Sequence, residues 1–138
     1  RDRFNSLVGA GARLAFGSDW AVSSAHPLEQ IGVAVSRTPP TQFPFGVGEG
    51  APLVERERVT LEEALHAFTM GSAFVNHQED VTGSISIGKH ADLVVLERNV
   101  FDADVAELAS IGFELTVVGG QIVYASGAFQ GVDAALSP

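Results

Sequence analysis

The chain has 138 residues, enough for one modest domain, and 46% of them are apolar against 18% charged, as is typical of a globular protein. The net charge is −9 and the eight basic residues are scattered, so nucleic acid is not an expected partner. No apolar run approaches the roughly 20 residues of a bilayer-spanning helix. The chain has no cysteine, which excludes disulfides and thiolate metal sites. The lack of cysteine is compatible with a cytoplasmic protein.

The amino-terminal part of the sequence predicts a helix followed by a short strand. Apolar residues at helical spacing over 4–8 predict the helix, and the glycines of "GAG" (9–11) end it. The following "RLAFG" (13–17) is predicted to be a strand, and its mostly apolar side chains favour burial on both faces, as in a parallel sheet.

A second helix is predicted to begin at Pro27, with Leu28, Ile31 and Val35 on its buried face. The order helix, strand, helix is typical of a protein built from βα repeats. Residues 38–58, which contain "TPPTQFPFGVGEGAP", predict a long loop, either a lid over a site or a mobile surface loop.

The segment "TLEE" (60–63) predicts a capping box in which Thr60 and Glu63 bond each other's backbone amides. The helix that follows is predicted to pack one apolar face on a core. That face comprises Leu61, Ala64, Leu65, Phe68, Ser72 and Val75.

Beyond residue 80 the pattern indicates strands. "TGSISIGKHADLVVLE" alternates apolar and polar residues and then continues as an apolar run. Residues 102–110 predict a short helix, and "ELTVVGGQIVYASG" predicts a hairpin that turns at Gly119 and Gly120. The organisation therefore changes near residues 78–81, from a helix-rich to a strand-rich segment.

Asp19 in "LAFGSDW" is the main candidate for chemistry, because it directly follows a predicted buried strand. In βα barrels the active site lies at the carboxyl ends of the strands. A carboxylate there could bind a divalent metal or act as a general base. The same "GSD" would equally suit a turn or a helix cap, so spacing alone leaves both interpretations open.

The four histidines show no H-x-H or H-E-x-x-H spacing, the patterns that place two imidazoles on one metal ion. Glu62 and His66 are predicted to form a solvated pair on one helix face, and His77 and His90 to lie on the surface. His26 is predicted to be a loop residue, with substrate contact as the alternative. No phosphate-binding loop and no G-x-S-x-G nucleophile elbow is present.

Five segments in order resemble the carboxyl-terminal end of metal-dependent amidohydrolases, and amidohydrolase family 3, the formamide-deformylase-like group, is the nearest type. They are "LAFGSDW", "HPLEQIGVAVSR", "TLEEALHAFTMGSA", "GSISIGKHADLVVLERN" and "VVGGQIVYASG". The resemblance implies an α/β fold comprising the last βα units of a TIM barrel, an incomplete one, and the carboxyl-terminal part of a small β-sandwich. It implies that residues 1–78 belong to the barrel and residues 79–138 to the sandwich.

The resemblance also implies a function, namely hydrolysis of amide, formamide or cyclic amide bonds by metal-activated water. Such enzymes hold one or two divalent ions, commonly zinc, and by resemblance Asp19 is both the catalytic acid–base residue and a metal ligand. The family's other metal ligands are absent from this sequence, and a whole barrel takes roughly 250 residues. We therefore expect the chain to correspond to part of such an enzyme and to be inactive alone.

Two alternatives to an inactive part of a hydrolase follow from the same residues. The chain could be a stand-alone α+β interaction module without catalysis, or one half of a split amidohydrolase. In each case unpaired strand edges favour association, and we expect a homo-oligomer. The substrate itself and the identity of the metal are not encoded in the motifs present.

Overall fold

The computed structural model describes residues 3–38 and 52–129, so most of the predicted 38–58 loop lies outside the described residues. The described chain combines helices with a small antiparallel sheet. This mixture of helices and strands bears out the coarse part of the predicted α/β class, while the barrel and sandwich assignments stay predictions. No helix in the described ranges is long and apolar enough to cross a membrane.

Two helices form where the apolar spacing predicts them. The first, α1, spans Phe4–Gly9, and the second, α2, spans Pro27–Ser36 with proline at its first position. Leu28 and Ile31 are buried on the inner face of α2. Both helices form where the local pattern predicts them, and α2 is in addition fixed by burial of an apolar stripe, whereas no residue of α1 is buried.

The third predicted helix is confirmed at its start and altered in its middle. Thr60 and Glu63 form the predicted capping box at the start of α3, Leu61–His66. A π-helical turn, Ala67–Gly71, follows, and α4 spans Ser72–Val75. The wider turn rotates the helix face, so the stripe predicted from a constant 3.6-residue period fails at its end, where Val75 is 61% exposed.

Three antiparallel strands form one sheet in the order β1-β2-β3, with β1 at Leu93–Leu96, β2 at Phe113–Val118 and β3 at Gln121–Ala125. The predicted hairpin between β2 and β3 is confirmed. Its turn residues Gly119 and Gly120 have φ of +57° and +81°, which glycine adopts without a steric penalty. The predicted short helix near 102–110 is observed as 3-10 turns at Val100–Asp102 and Val105–Ser110.

Two predicted strands are wrong for the described chain. Residues 13–17 belong to no strand, and residues 81–92 contain none. The physical reason is the same in both cases, since a strand needs a neighbour to form its ladder and none of the three strands pairs with either segment. Ile85 is 89% exposed and Ile87 is fully exposed, so these two apolar side chains of the second segment are not packed against the described residues.

The hydrophobic core joins the two predicted halves of the chain. Its buried members come from α2, from the α3 region and from the connection between β1 and β2; they are Leu28, Ile31, Ala34, Val59, Ala64, Val100, Leu108 and Ile111. Because these side chains form one cluster, α2 and the sheet connection support each other. The division into units 1–78 and 79–138 stays a prediction.

Candidate functional site

Asp19 begins an exposed turn two residues after residues 13–17, which form neither helix nor strand. Its φ is +52°, a left-handed conformation that is uncommon for residues other than glycine, although aspartate is among those that tolerate it. Its carboxylate makes no hydrogen bond or ion pair to any described residue. The carboxylate oxygens are therefore available to an external ligand or proton donor.

The turn that carries Asp19 is closed by its own hydrogen bonds. The Val22 amide donates to the Asp19 carbonyl at 2.7 Å, and the Trp20 amide donates to the Ser18 hydroxyl at 3.3 Å. The Ser23 hydroxyl also donates to the Ser18 carbonyl. Trp20 is 73% exposed beside Asp19, so the turn presents an acid and an indole together at the surface.

The segment before the turn is held by the third helical region. The Phe16 amide donates to the Ala67 carbonyl at 3.0 Å, and the Ser72 hydroxyl donates to the Phe16 carbonyl at 2.6 Å. The Phe16 ring also packs against Phe4 and Phe68, with ring centroids 4.9 and 5.8 Å apart. Sequence reasoning placed Ser72 only on a packing face and missed this contact.

His26 lies where the turn region meets α2. It is the N-cap of that helix, and its Nδ1 accepts a hydrogen bond from the Glu29 amide at 3.4 Å. The half-buried imidazole packs against the Phe113 ring at 5.4 Å between centroids. The prediction that His26 precedes the helix as a loop residue is confirmed, and the contact with β2 is additional.

The remaining histidines do not converge on Asp19. His66, His77 and His90 are exposed, as predicted, and so is Glu62. No group of three or more His, Cys, Asp or Glu side chains that could hold a metal ion occurs within residues 3–38 and 52–129. The described residues therefore do not contain a full set of ligands for a metal ion.

Two cavities border the segment 13–17, at different places. A groove of about 420 Å³ lies beside its start, where Arg13 and Leu14 face Glu62 and His66 of α3. A smaller cavity of about 170 Å³ reaches Gly17, two residues before Asp19. The larger groove is thus separate from the candidate acid.

A buried carboxylate, Glu57, fastens the first turn of α1. It accepts hydrogen bonds from the Ser6 amide at 2.9 Å and the Ser6 hydroxyl at 2.5 Å. These bonds from Ser6, helped by the charges of Arg56 and Arg3, hold the pKa of Glu57 below its usual value. A carboxylate at a helix N-terminus is also favoured by the helix dipole.

Replacing Glu57 with glutamine is expected to lower stability at neutral pH, because the charged acceptor of the Ser6 bonds is lost. The native pKa is depressed, so this stabilisation is present above the unfolded-state pKa and is lost as pH falls through the native pKa. Denaturation midpoints of wild type and Glu57→Gln should therefore converge in acid. Glu55→Gln, which removes an exposed pair with Arg58, is the control; an equal effect of the two variants would contradict this role.

Known proteins match this chain along most of its length. The family model described as "Amidohydrolase family" matches residues 2–124. The chain is 36% identical over 121 residues to the Arabidopsis thaliana protein LONG AFTER FAR-RED 3, and 34% identical over 119 residues to an N-substituted formamide deformylase from Arthrobacter pascens. These matches cover 88% and 86% of this chain, but only 19% and 20% of the two relatives.

Two further matches, one in sequence and one in structure, are also to proteins named as amidohydrolases. A protein named putative amidohydrolase YtcJ from Bacillus subtilis is 33% identical over 121 residues, which are 88% of this chain and 22% of that protein. The crystal structure of an amidohydrolase from Thermotoga maritima superposes with a TM-score of 0.63 at 22% identity, covering 89% of this chain and 26% of that one. The chain thus spans about a fifth of the length of the relatives it matches in sequence.

Proposed function

Because the chain belongs to the amidohydrolase family, we propose that it is the part of a metal-dependent C–N hydrolase that supplies the metal-site aspartate, Asp19. The observation that carries this proposal is the exposed Asp19 carboxylate, which makes no hydrogen bond or ion pair with a described residue and follows a segment hydrogen-bonded to the neighbouring helix. A carboxylate in this position can act as a hard oxygen ligand for a metal ion or as a general base.

The described residues do not fit a complete metal centre. Catalytic zinc sites use three protein ligands and an open position for water, and the described chain offers no such group around Asp19. Asp19 is suited to be one ligand among several contributed by other chain segments. We therefore assign to these residues the placement of a carboxylate, and no catalytic step to the chain alone.

The proposed substrates are small molecules with a non-peptide amide, formamide or cyclic amide bond, and the proposed metal is zinc. The name of the Arthrobacter pascens relative, an N-substituted formamide deformylase, supports this substrate class. Association is part of the proposal as well. The exposed side chains of Ile85 and Ile87, which lie outside any strand of the described chain, support pairing with another chain or segment.

The purified chain with added zinc or manganese is expected to show no turnover of amides, formamides or cyclic imides, because one carboxylate does not hold zinc with useful affinity. Hydrolysis followed by amine release would check this. A matched Asp19→Asn preparation controls for contaminating hydrolases. Robust turnover that disappears in Asp19→Asn would contradict the proposed inactivity and show that the chain completes a site.

A chimera tests the role of Asp19 where the other metal ligands are present. The region of the Arthrobacter pascens enzyme that matches this chain, 20% of its length, is replaced by the matching residues of this chain. Circular dichroism and metal content establish that the chimera folds and binds metal. Formamide hydrolysis by the folded chimera supports the proposal, and a folded, metal-loaded but inactive chimera counts against it.

A further inference from the structure

One helical turn contacts the segment before Asp19 along three consecutive residues. The backbone of Gly71 lies so close to Leu14 that a Cβ on Gly71 would stand 2.0 Å from the Leu14 carbonyl oxygen and 3.2 Å from the Ala15 Cα. The next residue, Phe16, is bonded through both its amide and its carbonyl to Ala67 and Ser72. The segment therefore lies against a helix in place of a neighbouring strand.

The π-helical geometry explains how one turn makes both bonds to Phe16. In the turn Ala67–Gly71 the Ser72 amide bonds the Ala67 carbonyl, five residues back. The same Ala67 carbonyl also accepts the Phe16 amide, which a regular α-helical carbonyl pointing along the axis does less readily. The Ser72 side chain, at the end of the widened turn, reaches the Phe16 carbonyl. Turns of this type are frequent at functional sites.

We infer that Ser72 is a positioning residue for Asp19, an inference that rests on the proposed role of Asp19. The Ser72 hydroxyl fixes the Phe16 carbonyl, and Asp19 follows three residues later. Beyond Phe16 the turn depends mainly on short-range bonds among Ser18, Asp19, Trp20, Val22 and Ser23. The bond at Phe16 therefore sets the direction in which the chain enters the Asp19 turn.

Removing the Ser72 hydroxyl breaks one of the two hydrogen bonds that hold the Phe16 backbone against the helix. In Ser72→Ala the Phe16 carbonyl loses its donor, and the longer contact of the hydroxyl with the Ala67 carbonyl, at 3.1 Å, is lost as well. The bond from the Phe16 amide to Ala67 and the ring contacts with Phe4 and Phe68 remain. The backbone beyond Phe16 is then expected to move more, so that the Asp19 turn takes up a wider range of directions. A displacement of about 1 Å at a reacting group can reduce catalysis by about 10²-fold.

Backbone relaxation of the 138-residue chain by NMR tests the positioning directly. In the wild type, amides of residues 16–19 should have order parameters near the rigid value of about 0.85, and Ser72→Ala should lower them toward or below about 0.6. Order parameters in α2 and β2 should not change. A merely structural role would lower the unfolding temperature without this local change in mobility.

Two variants serve as controls. Thr69→Ala removes a hydroxyl of the same helical region that bonds only within the helix, to the Leu65 and His66 carbonyls. It should leave the order of residues 16–19 unchanged. Ser72→Thr keeps the hydroxyl and should restore the wild-type order parameters. Equal mobility in wild type and a folded Ser72→Ala, or equal loosening by Thr69→Ala, would overturn the inference.

The chimera with the Arthrobacter pascens enzyme separates this inference from the proposed function. In the active chimera, Ser72→Ala should reduce kcat by up to about 10²-fold with little change in KM, because it disturbs a reacting group and not substrate binding. If Ser72→Ala loosens residues 16–19 while Asp19→Asn leaves the chimera active, the proposed function of Asp19 fails, but the effect of Ser72 on the order of residues 16–19 stands. If Asp19→Asn inactivates the chimera but Ser72→Ala changes neither kcat nor mobility, only the positioning role fails.

Discussion

Asp19→Asn in the chimera is expected to lower kcat/KM by about 10²–10⁴-fold or more, the range for loss of a positioned general acid–base group. Asparagine preserves the shape and one oxygen, but it carries no charge and cannot accept the proton. Because the carboxylate is exposed and makes no hydrogen bond or ion pair with a described residue, the substitution is expected to remove chemistry with little effect on packing. A loss of activity at unchanged stability would therefore report on the site.

The measurement combines steady-state kinetics with metal analysis. A variant that keeps its metal and loses kcat indicates proton transfer as the main role of Asp19, whereas a variant that loses metal indicates ligation. Asp80→Asn is the matched control, because Asp80 is also exposed and makes no side-chain contact with a described residue. Retention of full activity in a folded Asp19→Asn chimera would rule out either role.

Gly71→Ala is expected to destabilise the chain by about 3 kcal/mol or more, at the upper end for an overpacked interior. A Cβ at Gly71 would lie 2.0 Å from the Leu14 carbonyl oxygen, which is backbone and cannot rotate away as a side chain could. The helix and the 13–17 segment must then separate, which also strains the Phe16 bonds. Such a loss is a large fraction of the 5–15 kcal/mol that stabilises a typical domain.

Gly32→Ala in α2 provides the matched control for Gly71→Ala. Both glycines are helical, but the closest atom to a Cβ at Gly32 is the Val105 carbonyl oxygen at 3.7 Å, an ordinary contact. Gly32→Ala should therefore be neutral or stabilise by about 0.4–1 kcal/mol through the lower entropy of the unfolded chain. Urea unfolding of both variants checks the difference. A Gly71→Ala protein as stable as Gly32→Ala would show that the close contact is not required.

The Glu57 and Gly71 contacts both act on the elements that flank the candidate acid. Glu57 binds Ser6 and so holds α1 against the chain near residue 57, while Gly71 and Ser72 hold the segment that follows α1. The Asp19 carboxylate makes no hydrogen bond or ion pair with a described residue. Under the proposed function, these contacts would position Asp19 for a ligand.

Local sequence rules determined several elements by themselves. Thr60 and Glu63 specify a helix start because each bonds the other's amide within one turn, and Pro27 specifies another because its φ already suits a helix. Gly119 and Gly120 specify the hairpin because they adopt positive φ without strain. Each of these signals lies within a few residues of the structure that it predicts. The order of the five quoted segments likewise identified the family from sequence, which the family model over residues 2–124 confirms.

Only the tertiary structure decided what surrounds Asp19. The Ser72–Phe16 bond joins residues 56 apart, and the Glu57–Ser6 bonds join residues 51 apart, so no local pattern indicates either contact. The segments at 13–17 and 84–87 have the composition of strands, but a strand also requires a partner backbone, and this is a property of the whole fold. Sequence therefore identified the candidate acid, and long-range packing determined how that acid is held.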